Sequence, residues 1–169
     1  REQDTQTKEL VITGMTELHL TVLQEKLKRR DKVEIDTKEP KIPYRETVLG
    51  KAEGMHRHKK QSGGSGQFGE VHIRMQPLPG DITEENIETF ANKDNFISMK
   101  EYHYDKDAGF LWIDSIVGGS IPGNFMPAIE KGFYERIAKG VIAGYKVQNV
   151  CVEVFFGKYH PVDSNETAF

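Results

Sequence analysis

The segment "NFMPAIEKGFYERIAKG" constrains the fold most. Phe125, Ala128, Ile129, Phe133 and Ile137 fall on one face at helical spacing, and Gly140 stands where a C-terminal cap belongs. A helix with one apolar stripe has to bury it against another element. The next apolar segment, "VQNVCVEVFFGKYH", sets Val150, Val152, Val154 and Phe156 on alternate positions, as a strand with one buried side does. An amphipathic helix flanked by strands packs on the sheet those strands form, so this part of the chain is expected to be α+β.

Upstream, "ETVLGKAEGMHRHKK" and "GEVHIRMQPL" read as two strands on either side of a Gly/Ser segment, a long hairpin with its loop projecting at the far end. "DITEENIETF" has weak helical character, and "NFISMKEYHYDKDAGFLWIDSIVGG" reads as two strands joined at the turn signal Asp105 to Gly109. At the start of the chain, "ELVITG" reads as a strand. "TELHLTVLQEKLKRR" reads as an amphipathic helix, with Leu20, Leu23 and Leu27 beside Met15, Leu18 and Val22. "KVEIDTK" alternates Val33 and Ile35 with charged residues like a half-buried strand, and Pro40 and Pro43 make "EPKIPYRET" an extended connector. A domain boundary is expected near residue 45.

Composition limits the function classes. The 169 residues, 37% hydrophobic and 29% charged, suit one ordinary globular domain or two small ones. A net charge of -3 argues against general adhesion to nucleic acid, so any such contact has to come from a local patch. The single cysteine, Cys151, has no internal disulfide partner, and no apolar run is long enough for a membrane span or signal peptide; the chain reads as cytosolic. It begins at Arg1 and ends in "DSNETAF", where Asp163 and Glu166 form a helix-start signal, so it reads as a piece of a longer protein.

The local patch is "HRHKKQSGGSGQFGE". Lys51, Arg57, Lys59 and Lys60 outnumber Glu53 before the glycines, and strand alternation puts His56, His58 and Lys60 on one face and Arg57 and Lys59 on the other. Gly63, Gly64, Gly66 and Gly69 invite a phosphate-loop reading, but a nucleotide P-loop needs Lys and then Ser or Thr after its last glycine, whereas Glu70 and Val71 follow here. A flexible loop beside cations suits RNA, whose phosphates take the charge; a solvated hairpin tip fits the same residues. His56 and His58 offer two metal ligands on one face, with His19, His72, His103 and His160 elsewhere, yet nothing fixes a third ligand at a telling spacing, so no metal site is assigned. His160, in "GKYHPVDSNE", is displayed after a strong strand, or sits in an ordinary connection; no nucleophile or second acid accompanies it at an interpretable spacing.

Six segments taken together, "GMTELHL", "KEPKIPYRET", "HKKQSGGSGQFGEV", "IVGGSIPGNFMPAIEKGF", "GVIAGYKVQNVCVEV" and "GKYHPVDSNETAF", make the chain resemble the bacterial-type translational GTPase elongation factor G, in order and over nearly its whole length outside Gly80 to Gly109. The resemblance implies an α+β chain in two parts. Residues 1–45 would be the C-terminal half of the third domain, a partial ferredoxin-like βαβ unit. Residues 46–169 would be a C-terminally truncated fourth domain of the ribosomal protein S5 domain 2 type, with a left-handed crossover that chain-handedness rules alone would not predict, and with an insertion at about 81–108.

The resemblance further implies GTP-dependent translocation of tRNA and mRNA, with the tip of the fourth domain entering the decoding region. Its contacts there would be small-subunit ribosomal RNA, tRNA and mRNA, beside the remaining domains of the parent factor. One tip loop would comprise Lys59, Lys60, Gln61, Ser62, Gly63, Gly64, Ser65, Gly66 and Gln67, and its neighbour Tyr159, His160, Pro161, Val162 and Asp163, with His160 matching a functionally sensitive tip histidine. Glycines allow close shape fitting, Ser and Gln bond phosphate and 2′-hydroxyl, and lysines supply charge. The fragment itself would be no enzyme and hold no cofactor, since GTP and Mg belong to a separate GTPase domain of the parent. Cytoplasm or an organellar matrix is the implied location. Pro161 stands where the family usually has an acidic residue, and Ser65 where many members have arginine. With the insertion, these departures motivate an alternative, a paralogue specialised for ribosome recycling. A more distant alternative is a phosphate-binding, small-molecule-kinase-like domain, which shares the topology but for which no base and metal-binding carboxylate pair is found beside the glycines.

Overall fold

A computed structural model describes residues 2–3 (main chain), 10–42, 44–64 and 66–169. The chain divides into two compact units, Arg1–Tyr44 and Arg45–Phe169.

In the first unit, β1 (Glu2–Gln3) pairs antiparallel with β2 (Leu10–Val11), and α1 (Glu17–Arg30) follows. Thr16 caps α1 by accepting from the His19 main-chain N–H at 3.2 Å, with Glu17 in the first turn and Lys28, Arg29 and Arg30 in the last, as the helix dipole favours. None of its residues is buried. Leu20 and Leu23 instead line a depression with Leu10, Val11, Ile12 and Ile35. Residues 32–38, expected as a strand from the Val33 and Ile35 alternation, form none. An alternating pattern specifies a strand only where a neighbour offers free main-chain groups, and this segment is tied to α1 instead, by the Val33 N–H to the Leu27 carbonyl at 3.3 Å, the Lys28–Glu34 ion pair at 2.8 Å and Gln24 Nε2 to the Ile35 carbonyl at 3.4 Å. Pro43 lies outside the described residues.

The second unit is built on five strands: β3 (Ala52–Lys60), β4 (Gln67–Pro77), β5 (Glu101–Asp105), β6 (Phe110–Asp114) and β7 (Val150–Lys158), in the order β3-β4-β7-β6-β5. The architecture is α+β, as the sequence predicts. β3 and β4 form the expected hairpin, and the turn from Asp105 to Gly109 joins β5 to β6. β6 and β7 are parallel neighbours, and α3 (Met126–Lys139), entered through a 3-10 turn at Gly123–Phe125, crosses between them. Gly140 ends α3 at φ 62°, a left-handed value that a side chain disfavours.

β7 is central, and its residues 150–154 are buried on both faces, which is why "VCVEV" reads almost continuously apolar. Val150, Val152 and Val154 face α3 with Phe110 and Trp112 and meet Met126, Ile129 and Ile137. Trp112 packs on Phe133 with ring centroids 5.6 Å apart, and Phe110 lies edge-on to Tyr134 at 5.0 Å. Each such side chain, fully buried, stabilises the fold by roughly 1.5–3 kcal/mol. The opposite face, Leu111, Ile113 and Cys151, is covered by Leu78, Ile87, Ala91 and Phe96, the weakly helical region having condensed into the single turn α2 (Ile87–Phe90) and the loops around it. Much of the segment between Gly80 and Gly109 is therefore a structural layer of this core.

Phe156 does not continue the Val150, Val152, Val154 row. The register of β7 against β4 slips between His72 and Ile73, which pair with Phe156 and Val154. The extra residue, Phe155, is a bulge, and it reverses the alternation beyond it. The Phe155 and Phe156 rings both lie edge-on to His72, at 6.0 and 5.1 Å, on the side away from α3.

Where the second unit begins, Glu46 is fastened to the loop after α3. Its main chain bonds Lys146 and Gln148, and its carboxylate accepts the N–H groups of Val141, Ile142, Ala143 and Tyr145 at 2.7 to 3.1 Å. Those main-chain bonds hold its carboxyl down to about 2.

Candidate nucleic-acid interface

β3 and β4 pair out to Lys60 opposite Gln67, and β7 follows β4 to Lys158 opposite Glu70. The loops that leave these strand ends, residues 61–66 and 159–164, therefore emerge side by side. The second loop is bonded to Phe68 at the start of β4, just beyond the first loop. The Phe68 N–H donates to the Asp163 carbonyl at 2.9 Å, the Ser164 hydroxyl donates to the Phe68 carbonyl at 2.6 Å, and the same hydroxyl accepts from the His160 N–H at 2.8 Å.

Glycine is required twice over in the first loop. Gly63 and Gly64 have φ of 88° and 118° with open space around them, so the chain turns there without presenting bulk to a ligand. Gly66 faces the other loop, and a Cβ at that position would lie 2.6 Å from Asp163 Oδ1. Lys59, Lys60, Gln61, Ser62, Gly63 and Gly64 are exposed, Gly66 and Gln67 half-buried, and Ser65 lies outside the described residues. Across the gap Tyr159, His160, Pro161 and Val162 are exposed, Val162 at 84%, and Asp163 is half-buried.

The His160 ring is oriented from within its own loop. Its Nδ1 accepts from the N–H groups of Val162 and Asp163 at 3.3 and 3.2 Å, so it acts there as a lone pair and leaves Nε2–H as the ring's donor. Pro161 lacks an N–H and fixes φ where the loop turns, consistent with a single conformation for the display. Asp163 Oδ2 lies 3.4 Å from the same nitrogen, and the arrangement suits hydrogen bonding from Nε2 to an acceptor.

Beneath the tip lies a group that the sequence reading did not single out. Glu70 is 2% exposed, and its carboxylate is bonded by His72 Nε2 at 3.0 Å and by Arg57 Nε, with Lys158 Nζ at 3.9 Å. The bond from His72, then that from Arg57, hold its carboxyl below the ordinary range against the opposing effect of burial. Buried charge of this kind is tolerated only when paired, and it fixes three strand ends relative to one another. Ser164 was likewise missed. Local spacing carries no signal for either residue, because Arg57 and Lys158 beside Glu70, and Phe68 beside Ser164, lie on other strands and are brought there by the fold. His56 and His58 turn to the α3 side and line a groove of about 770 Å³ with Met55, Phe133, Arg136 and Phe169, while Arg57 reaches Glu70 on the opposite face, as alternation predicts. His58 is engaged there by Gln67 at 2.9 Å.

Two neighbouring loops on cationic strand ends, carried by a sheet with a βαβ crossover, define an α+β domain with a two-loop tip. Family comparison makes the class specific. Residues 1–39 match the model of elongation factor G domain III, and residues 40–101 and 94–169 match that of elongation factor G domain IV; the chain belongs to the elongation factor G family. An elongation factor G-like protein of Thermotoga maritima is 40% identical over 99% of the chain, and elongation factor G 1 of Pseudoalteromonas atlantica is 38% identical over the same share. A crystal structure of a Thermus thermophilus protein superposes with a TM-score of 0.73 at 38% identity, again over 99% of the chain. The chain spans about a fifth of the length of each of these relatives.

Proposed function

We propose that this chain is the ribosome-contacting part of a translation elongation factor that promotes GTP-dependent translocation, its two tip loops entering the decoding region of the small subunit. The observation that carries this reading is that loop 159–164 is bonded to Phe68 at the start of β4 and lies against Gly66 of the glycine loop, so that the two loops stand side by side beyond the cationic strand ends. Lys59 and Lys60 meet phosphate charge, the exposed glycines admit close backbone approach, and Gln61, Ser62 and the His160 Nε2–H donate to phosphate or 2′-hydroxyl oxygens of ribosomal RNA, tRNA and mRNA. None of these contacts makes or breaks a covalent bond. Nucleotide chemistry, with its Mg ion, belongs on this reading to another domain of the parent factor, acting in the cytoplasm or an organellar matrix.

The test is a toeprint of messenger RNA on pre-translocation ribosomes, using the full-length factor with GTP, as wild type and as His160→Ala. Wild type is expected to advance the message by one codon and the variant to do so more slowly. An unchanged rate in the variant would remove His160 from the mechanism. No advance by a factor with ribosome-stimulated GTPase activity would refute translocation and favour ribosome recycling, the alternative suggested by Pro161.

A further inference from the structure

Beside the tip, one face of the sheet is left open. On the side away from α3 stand Arg57, Lys59, His72, Phe155, Phe156 and Lys158: Arg57, His72 and Lys158 surround Glu70, His72 meets both phenyl rings, and Lys59 lies two residues along β3 from Arg57. The layer that covers this side of the sheet packs over Leu111, Ile113 and Cys151 instead. Phe156 is on a central strand and yet 39% exposed. The bulge at Phe155 is what turns it there.

Charge on this face is ordered in depth. The carboxylate at the centre of this group, Glu70, is 2% exposed, whereas the side chains of Arg57 and Lys158 retain 50% and 56% of their exposure; farther down the same face Arg74 lies over the Phe155 ring at 4.1 Å and pairs with Glu53, whose side chain is 62% exposed, and with Glu153. Around Glu70 an approaching ligand meets three cations and a phenyl ring, with that carboxylate buried beneath them and the exposed Glu53 held by Arg74 farther along the face, in a chain whose net charge is -3. This is the complement of a polyanion. A purely apolar partner would desolvate Arg57 and Lys158 without replacing their water. A nucleic-acid duplex would use the cations and leave the ring idle, because its bases are stacked internally. Single-stranded RNA uses both, its phosphates pairing with the cations and an unstacked base lying on the ring.

We propose that the open face of β3, β4 and β7 is a platform for single-stranded RNA, a base stacking on Phe156 while Arg57, Lys59 and Lys158 hold the flanking phosphates. It rests on the RNA-contacting reading of the tip and extends the contact down the sheet from the loops that β3, β4 and β7 carry.

The experiment is fluorescence anisotropy of the 169-residue chain with a fluorescein-labelled twelve-nucleotide oligouridylate and with an RNA duplex of equal length, across a salt series. Phe156→Leu keeps apolar bulk and removes the stacking surface; it is expected to weaken oligouridylate binding roughly fivefold or more. Phe156→Trp is expected to restore binding, which a merely structural role would not predict. Lys158→Gln is expected to lower the salt slope by about 0.7, the share of one phosphate contact on a single strand. Wild-type-like binding by Phe156→Leu, tighter binding of the duplex, or no oligouridylate binding at all would each overturn the platform. If only Lys60→Gln and His160→Ala weaken binding, the platform falls and the tip reading stands. A failed toeprint with Phe156-dependent oligouridylate binding intact would remove translocation and leave the platform.

Discussion

Ser164 is the place to break the tip. Its hydroxyl donates to the Phe68 carbonyl of β4 and accepts from the His160 N–H of its own loop, so Ser164→Ala removes one bond that ties the loop to the sheet and one within the loop while filling nearly the same space. A neutral hydrogen bond contributes about 0.5–1.5 kcal/mol net, giving about 1–3 kcal/mol for the pair. Ser164 is half-buried, so water recovers part of this, and about 1–2 kcal/mol is the expected loss. That converts to roughly 5- to 30-fold in the equilibrium for opening the loops. The assay is amide hydrogen exchange, read at the His160 N–H. Its protection should fall by that factor while amides of β6 stay protected, and Ser164→Thr should keep most of it. Unchanged protection at His160 in the alanine variant would refute the claim that this hydroxyl holds the loop to β4. A uniform loss across the sheet would show that Ser164 supports the whole core instead.

Glu46→Gln is expected to abolish an acid-side dependence of stability. The folded carboxyl titrates at about 2, below its ordinary 4.5, so its stabilisation is present above 4.5 and lost as pH falls toward 2. Urea unfolding of wild type and variant should therefore converge across that window, and parallel curves would refute it. Ile113→Ala, at a side chain with no exposure, should cost about 2–5 kcal/mol in the same assay, whereas Ile142→Ala, at 89% exposure, should stay within about 0.5 kcal/mol. The Cys151 thiol, fully buried and pushed up to about 12 by desolvation, should resist alkylation in the folded chain at pH 8 and react once urea exposes it; rapid labelling of the native protein would contradict its burial.

What could be read in advance was what is locally encoded. The apolar stripe of α3, its glycine terminator, the β5–β6 turn and the β3–β4 hairpin each carry their instruction within a few residues, and each formed as expected. The misses share one cause, dependence on distant parts of the chain. Val33 and Ile35 alternate like strand residues but form no ladder. Phe156 looks like the next member of the valine row until the pairing with β4 inserts a bulge before it. The Asp163-x-x-Glu166 signal starts no helix; capping geometry falls on Asn165, whose Oδ1 accepts from the Ala168 N–H at 2.9 Å, and only turns follow. Of the candidate site, the loops were visible as glycine and charge, and their roles came from family resemblance. Glu70 and Ser164 were invisible because their partners are brought to them by the fold.

The attachment of Glu46 has a mechanical meaning. Residues 44 and 45 join the two units, so any pull transmitted along the chain from the first reaches the second at this residue. There it meets two main-chain bonds, to Lys146 and Gln148, and four more through the carboxylate, which spread the load over the segment between α3 and β7. The tug is absorbed before it reaches Ala52, where the β3–β4 hairpin begins. That hairpin, which would otherwise unzip one pair at a time from its open end, is left unloaded, and the tip at its other end keeps its shape while the joint behind it is strained.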